Sequence, residues 1–223
     1  LDTYAGLIFA TWAEDAPTLT DYLGDMRYYM DITFNRWDDG LEFIGPDKWI
    51  LPNNWKVSAD NFVGDQYHAP LSHRSALLPM FKTKFVSNYS NYKRPGFEVS
   101  PGNGHGAGIH WIKDDQELED LQSAMTMTKD WDTQMLPQIE NRIGFLRAKR
   151  MEMGNATVFP NMSFLSNGTV RVWHPRGVKS EVWAWCMLPQ NAPEDVKRLK
   201  RLGCMATFGP SGSLEQDDMD NWR

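Results

Sequence analysis

An α+β fold built around a largely antiparallel sheet is what this sequence predicts, and three observations carry the reading. Segments with strand character cluster at 156–165, 169–174 and 181–188, close enough to pair as hairpins. Segments with helical spacing stand apart from them, over roughly 18–34 and 131–151. The strands are separated by Asn167-Gly168, a strong hairpin turn, and by Pro175-Arg176-Gly177. The strict strand–helix alternation of a parallel α/β sheet is missing.

The elements follow in order. Leu1 to Trp12 is strand-like from the outset. Thr18-Leu19-Thr20-Asp21 after Pro17 reads as a capping box, and Leu19, Tyr22, Leu23, Met26 and Met30 keep helical spacing behind it. Asp38-Asp39-Gly40 turns the chain into a strand that runs through Trp49-Ile50-Leu51. Trp55 to about Tyr67 reads as a helix. Glycine and proline dominate from Arg94 to Gly108, which predicts loop and short strand. Met135, Ile139, Ile143 and Leu146 set the next helix, opened or kinked by Pro137. Pro193-Glu194-Asp195 opens another, with Lys197, Arg198, Lys200 and Arg201 behind as a solvated face suited to its C-terminal half. An acidic helix begins near the end of the chain. Neither internal repeats nor a linker divide residues 1–223, so they are read as one domain, apparently truncated at both ends.

Composition narrows the function classes. A chain of 223 residues supports one substantial core. No apolar run approaches the ~20 residues of a membrane span. A formal charge of −6 argues against nucleic acid as the main partner. Two cysteines, Cys186 and Cys204, supply neither a disulfide framework nor a cysteine-rich metal motif. Sequons begin at Asn88, Asn155, Asn161 and Asn167, but without a signal peptide they read as chance, and a cytoplasmic location is expected. Gly102-Asn103-Gly104-His105-Gly106-Ala107 loosely matches a dinucleotide fingerprint but leads into the strand-like Ile109-His110-Trp111, so the required helix is missing. His105 and His110 are read as loop or core histidines.

The chemistry concentrates in Asn61-Phe62-Val63-Gly64-Asp65-Gln66-Tyr67-His68-Ala69-Pro70-Leu71-Ser72-His73. Imidazoles with a carboxylate are the donors of an open iron(II) or zinc site. On a helix Asp65 and His68 would lie roughly 60° apart, on one face. His68 and His73 would lie about 140° apart, so they converge only if the helix breaks between them, and Pro70 is placed to break it. Read locally, Asp65 is the nearest carboxylate for such a site. Asp217 and Asp218, far along the chain, read on their own as an acid pair at a helix N-terminus.

Several of these segments together resemble the large (alpha) subunit of Rieske non-haem iron ring-hydroxylating dioxygenases, the naphthalene and biphenyl dioxygenases among them. Asn54-Trp55-Lys56, Asn61 to Asp65, Tyr67-His68 and His73 resemble the family's iron-site signature. Leu1–Trp12, Ala156-Thr157-Val158-Phe159-Pro160-Asn161 and Val172-Trp173-His174-Pro175 resemble its strands. Phe208-Gly209-Pro210 through Glu215-Gln216-Asp217-Asp218 to Asn221-Trp222 resembles the segment with the third iron ligand.

The resemblance implies a helix-grip fold, a curved antiparallel sheet closing around a long helix and enclosing an apolar pocket beside a mononuclear iron. It implies His68, His73 and Asp218 as the iron(II) ligands, with Asp217 the competing carboxylate one residue away. Asp65 becomes the acid that carries electrons to the iron from a Rieske cluster of a neighbouring subunit. Asn61, Phe62, Asn155, Leu165, Phe208 and Leu214 match pocket-lining positions. Met153 stands where some members have histidine, and Leu214 where tryptophan occurs, changes that leave room for a larger ring system.

The implied activity is cis-dihydroxylation of an aromatic, and in some cases polycyclic, hydrocarbon by dioxygen. The 2Fe–2S Rieske cluster would belong to a domain before Leu1, since none of its cysteine–histidine pairs is present here. Electrons would come from NAD(P)H through a reductase, often with a ferredoxin, and the assembly would be an alpha homotrimer or an alpha3beta3 hexamer with a small beta subunit. A Rieske monooxygenase or demethylase, or a helix-grip domain binding an apolar ligand without chemistry, are the alternatives.

Overall fold

Hairpin turns and period-two burial build one large antiparallel sheet. The computed structural model describes residues 1–65, 67–74, 95–125, 127–166 and 168–222. Strands β3 (Leu41–Leu51), β4 (Gly96–Val99), β5 (Gly106–Trp111), β6 (Met151–Val158), β7 (Met162–Leu165), β8 (Thr169–Arg176) and β9 (Lys179–Pro189) pair in the order β3-β9-β8-β7-β6-β5-β4. Every pairing is antiparallel. Among the described residues the sheet is not closed, and β3 and β4 are its edges. A separate hairpin, β1 (Asp2–Tyr4) with β2 (Leu7–Phe9), occupies the opening segment.

Helices cover both faces. Helix α2 (Met26–Phe34) follows the short α1 (Leu19–Leu23), and its Met26, Met30, Ile32 and Phe34 pack with Ile109, Met153, Phe164, Val170 and Met187. A second cluster joins α3 (Trp55–Asn61), α7 (Glu194–Phe208) and α8 (Ser213–Asn221) to the sheet through Ala59, Phe62, Phe208, Leu214, Trp222, Leu165, Trp173 and Val182. Adjacent residues Phe164 and Leu165 fall in different clusters, as side-chain alternation requires. Between the two strand-rich halves come α4 (Ala69–Ser72), α5 (Asp115–Met125), α6 (Lys129–Ile143) and a π-helical turn, Leu146–Arg150.

Several expectations change in detail. The helix expected over 18–34 breaks at Gly24, although Thr18 does cap it by accepting from the Asp21 amide at 3.1 Å. Pro137 lies inside α6 rather than opening it, and the helix ends at Gly144 well before Met151, which already belongs to β6. The strand expected over 156–165 is two, turning at Phe159-Pro160-Asn161. The basic face of α7 is only partly solvated, because Lys197 meets Glu42 at 3.2 Å and Lys200 meets Asp132 at 2.7 Å. Strand β5, not a helix, begins within the glycine-rich stretch at 102–107, at Gly106. The sequon at Asn88, Arg94 at the start of the glycine- and proline-rich stretch, and Asn167 of the hairpin turn lie outside the described residues. Among those residues no helix is long and apolar enough to cross a membrane.

Candidate metal centre

The chain reaches the site through a tight departure from α3. Asn54 caps that helix by accepting from the Lys56 amide at 3.0 Å, and the helix stops at Asn61, earlier than the sequence suggests. Gly64 then takes φ +144°, a conformation that disfavours any side chain, with a would-be Cβ 3.1–3.2 Å from the Ala107–Gly108 backbone. From the other side, a Cβ on Gly106 would run into Val63. Two glycines therefore let this segment lie directly on β5. Pro70 does not break the helix; it sits in the first turn of α4, where its missing N–H costs nothing. His68 and His73 bracket α4 as its two caps, and Asp65 is outside any helix.

The two imidazoles point the same nitrogen inward. His68 Nε2 lies 3.2 Å and His73 Nε2 3.3 Å from a single atom, Asp218 Oδ1. Each Nδ1 faces an outer carboxylate: Asp65 Oδ2 at 3.1 Å from His68, and Asp217 Oδ2 at 3.2 Å from His73. Asp65 Oδ1 also accepts from the Tyr67 and His68 amides, which fixes the acid against the turn. Asp217 and Asp218 are not an N-terminal pair, since they lie beyond the first turn of α8. They divide the work, Asp218 buried between the histidines and Asp217 half-buried behind one of them.

This geometry suits a cation. One ligating atom from each of His68, His73 and Asp218 lies within 4.8 Å of the others. Donors at right angles around a metal, with bonds of ~2.1 Å, stand about 3 Å apart, close to the 3.2 and 3.3 Å separations here. Asp218 is 1% exposed, yet its Oδ1 has no aligned hydrogen bond, and neither has His68 Nδ1. A buried carboxylate oxygen left without a donor is costly unless a proton or metal meets it. Two imidazoles and a carboxylate on one side of an open space are the donor set of a non-haem iron(II) site.

Electrostatics point the same way. Burial disfavours the imidazolium of His68, but the Asp218 and Asp65 carboxylates outweigh it and its pKa rises. Burial alone would push the Asp218 carboxyl up, but the His68 and His73 imidazoles hold it below the usual carboxylate value.

The cluster opens on a cavity of about 1580 Å³. All the pocket positions expected from the sequence line it: Asn61, Phe62, Met153, Asn155, Leu165, Phe208 and Leu214. Their roles differ. Asn155 spends its amide N–H groups on the Asn61 and Asp65 carbonyls, at 3.2 and 3.3 Å, so it ties β6 to the ligand segment. Phe62 is wedged among Trp173, Phe208 and Trp222. His110 also lines the cavity from β5, although the sequence set it aside as a loop or core residue. His105 is the core residue expected, its Nε2 donating to the Tyr22 carbonyl and its Nδ1 accepting from the Phe159 amide. Cys186 and Cys204 are buried free thiols.

Comparison with known proteins identifies the family. A family profile described as ring hydroxylating alpha subunit (catalytic domain) matches residues 19–223. Biphenyl dioxygenase subunit alpha of Metapseudomonas furukawaii is 37% identical over 227 residues, which cover 99% of this chain and 49% of that protein. Benzene 1,2-dioxygenase subunit alpha of Pseudomonas putida is 37% identical over 230 residues, covering 100% of this chain and 50% of that protein. The structure of naphthalene 1,2-dioxygenase with indole bound in its active site superposes with a TM-score of 0.82 at 32% identity, covering 99% of this chain and 50% of that one. The chain thus spans about half the length of the curated relatives it matches. With the profile covering most of its length and such relatives covering nearly all of it, this chain belongs to the ring-hydroxylating alpha-subunit family, within its catalytic domain.

Proposed function

We propose that the protein carrying this chain is an aromatic-ring dioxygenase. It joins both atoms of dioxygen to adjacent carbons of one ring, and two electrons and two protons complete the cis-dihydrodiol. The observation that carries the reading is Asp218 Oδ1, buried with no aligned hydrogen bond between two inward-facing imidazole nitrogens at the wall of a largely apolar cavity. Iron is expected of this family, and His68, His73 and Asp218 would hold it. Bound there, iron(II) supplies a redox centre with coordination positions left open for dioxygen.

The chain's own residues do the rest. Asp65 and Asp217 face the outer imidazole nitrogens, which favours the tautomer with the inner nitrogen unprotonated and fixes the ring planes. Asp65, 40% exposed at the side chain, is also the acid through which electrons arrive from a Rieske cluster of a neighbouring subunit. An unactivated hydrocarbon offers no polar handle, so Phe62, Met153, Leu165, Phe208 and Leu214 hold it by shape and apolar area. The same walls exclude water and set ring carbons near the centre. NAD(P)H would supply the electrons through a reductase, with or without a ferredoxin, to an alpha homotrimer or alpha3beta3 hexamer.

The test is turnover of the protein carrying this chain, with its redox partners, NADH and isotopically labelled dioxygen. A cis-dihydrodiol with both oxygens labelled is expected. A product with one labelled oxygen would make it a monooxygenase. Tight binding of an aromatic hydrocarbon with no oxygen consumption would make it a ligand-binding domain.

A further inference from the structure

A salt bridge closed to solvent lies one helical turn from the candidate centre. Arg171 and Glu215 both have zero side-chain exposure, and Arg171 Nη1 donates to Glu215 Oε2 at 2.6 Å. The second fork of the same guanidinium, Nη2, donates to the Phe208 carbonyl at 3.1 Å. Trp49, Phe62, Trp173 and Phe208 surround the cation, with ring centroids 5.0–5.7 Å away. Arg171 comes from β8, Phe208 ends α7 and Glu215 lies in the first turn of α8. One side chain thus clamps the end of one helix and the start of the next onto the sheet, across the turn at 209–212.

Such a clamp is a poor way to gain stability. Desolvating both charges costs several kcal/mol per ion, and apolar replacements of similar volume are often neutral or stabilising. Here the cost is higher still, because Arg171 Nε finds no hydrogen bond. What the pair supplies is a unique arrangement. A planar guanidinium satisfies two acceptors in fixed directions, which a lysine ammonium does not. Glu215 precedes Asp218 by three residues, placing both on one face of α8, about 60° apart.

We propose that Arg171 and Glu215 are positioning residues for the metal centre. They fix the rotation and height of α8 so that Asp218 Oδ1 stays between His68 and His73, while the same guanidinium holds Phe208 in the cavity wall. The inference rests on the reading of Asp218 as a metal ligand.

The test removes both charges together, Arg171→Met with Glu215→Leu, beside the native chain, Asp218→Ala and Glu215→Gln. Thermal melting without metal is read first, then iron(II) affinity by anaerobic titration against a competing chelator. The electron paramagnetic resonance spectrum of the nitric oxide adduct then reports the ligand geometry. The double variant is expected to melt at or above the native temperature, to bind iron(II) about tenfold or more weakly, and to give a broadened spectrum. Glu215→Gln, whose amide oxygen still accepts from Arg171, is expected to stay within about threefold of native affinity. A folded double variant with native affinity and spectrum overturns the inference, as does a double variant that fails to fold, since the pair would then be structural. A more than tenfold loss in Glu215→Gln also overturns it, because charge and not position would be responsible. A native chain that takes up no iron, or an Asp218→Ala chain that keeps it, overturns the metal reading itself and this inference with it.

Discussion

Ser163→Ala should unravel a directional hydrogen-bond relay that ties the sheet to the ligand-bearing side of the molecule. Trp173 Nε1 donates to Ser163 Oγ at 2.8 Å, Ser163 and Thr157 hydroxyls meet at 2.8 Å, and Thr157 Oγ1 donates to the Ala59 carbonyl of α3 at 2.9 Å. An indole only donates, and a hydroxyl has one proton, so each proton must run from β8 through β7 and β6 to α3. No member is more than 5% exposed. Ser163→Ala strands the Trp173 N–H, at about 1–3 kcal/mol, and removes a bond worth about 1 kcal/mol more. Thr157→Val, nearly isosteric, strands the Ser163 hydroxyl and the Ala59 carbonyl at a similar cost. The double variant no longer contains the stranded serine hydroxyl, so its cost should fall short of the sum by about 0.5–3 kcal/mol. Urea unfolding with unchanged m-values measures all three. Single costs below about 0.5 kcal/mol, or strict additivity, would refute the relay.

Other expectations follow from the same geometry. Gly64→Ala forces a side chain into φ +144° against the Ala107–Gly108 backbone, and should lower stability by about 1–3 kcal/mol and weaken iron(II) binding together; an unchanged melting temperature would contradict the close approach. In the metal-free chain the raised His68 pKa contributes stability that is complete below the unfolded value of about 6.5 and is lost as pH rises through the folded pKa. Iron(II) must displace that proton, so its affinity should increase with pH across this window with proton release, measured by titration in buffers of different ionisation enthalpy; affinity independent of pH would count against His68 as a ligand. Leu214→Trp should shrink the cavity beside Asp218, so that products from three-ring substrates fall relative to those from one-ring substrates in a competition assay; an unchanged product ratio would remove Leu214 from the substrate's path.

Much of the fold follows from local rules, and the departures have identifiable causes. The strands of β8 and β9, rich in valine and tryptophan, and the capped start at Thr18 needed no tertiary information. Helix α5 did carry a readable signal: Asp114 accepts from the Glu117 amide, a side-chain cap visible as Asp-x-x-Glu, and Glu117 accepts from the Lys113 amide just before it. The end of α3 at Asn61 is different. It depends on Gly64 lying against the Ala107–Gly108 backbone and Val63 against Gly106 in β5, a contact between segments some forty residues apart that no helical spacing anticipates. At the candidate site, the His68 and His73 pairing was legible because both lie in one short segment. Asp218 follows them by a long stretch of chain and was legible only through family resemblance. Arg171 and Glu215 carry no spacing signal at all, because a strand and a distant helix bring them together.

The central claim, that His68, His73 and Asp218 hold one iron, is tested most directly by metal content after anaerobic iron(II) loading. The native chain is compared with folded His68→Ala, Asp218→Ala and Asp217→Ala variants. About one iron per native chain is expected, lost in His68→Ala and Asp218→Ala and retained in Asp217→Ala. Iron retained without Asp218 but lost without Asp217 would contradict the assignment, and a folded native chain that takes up no iron would contradict the centre altogether.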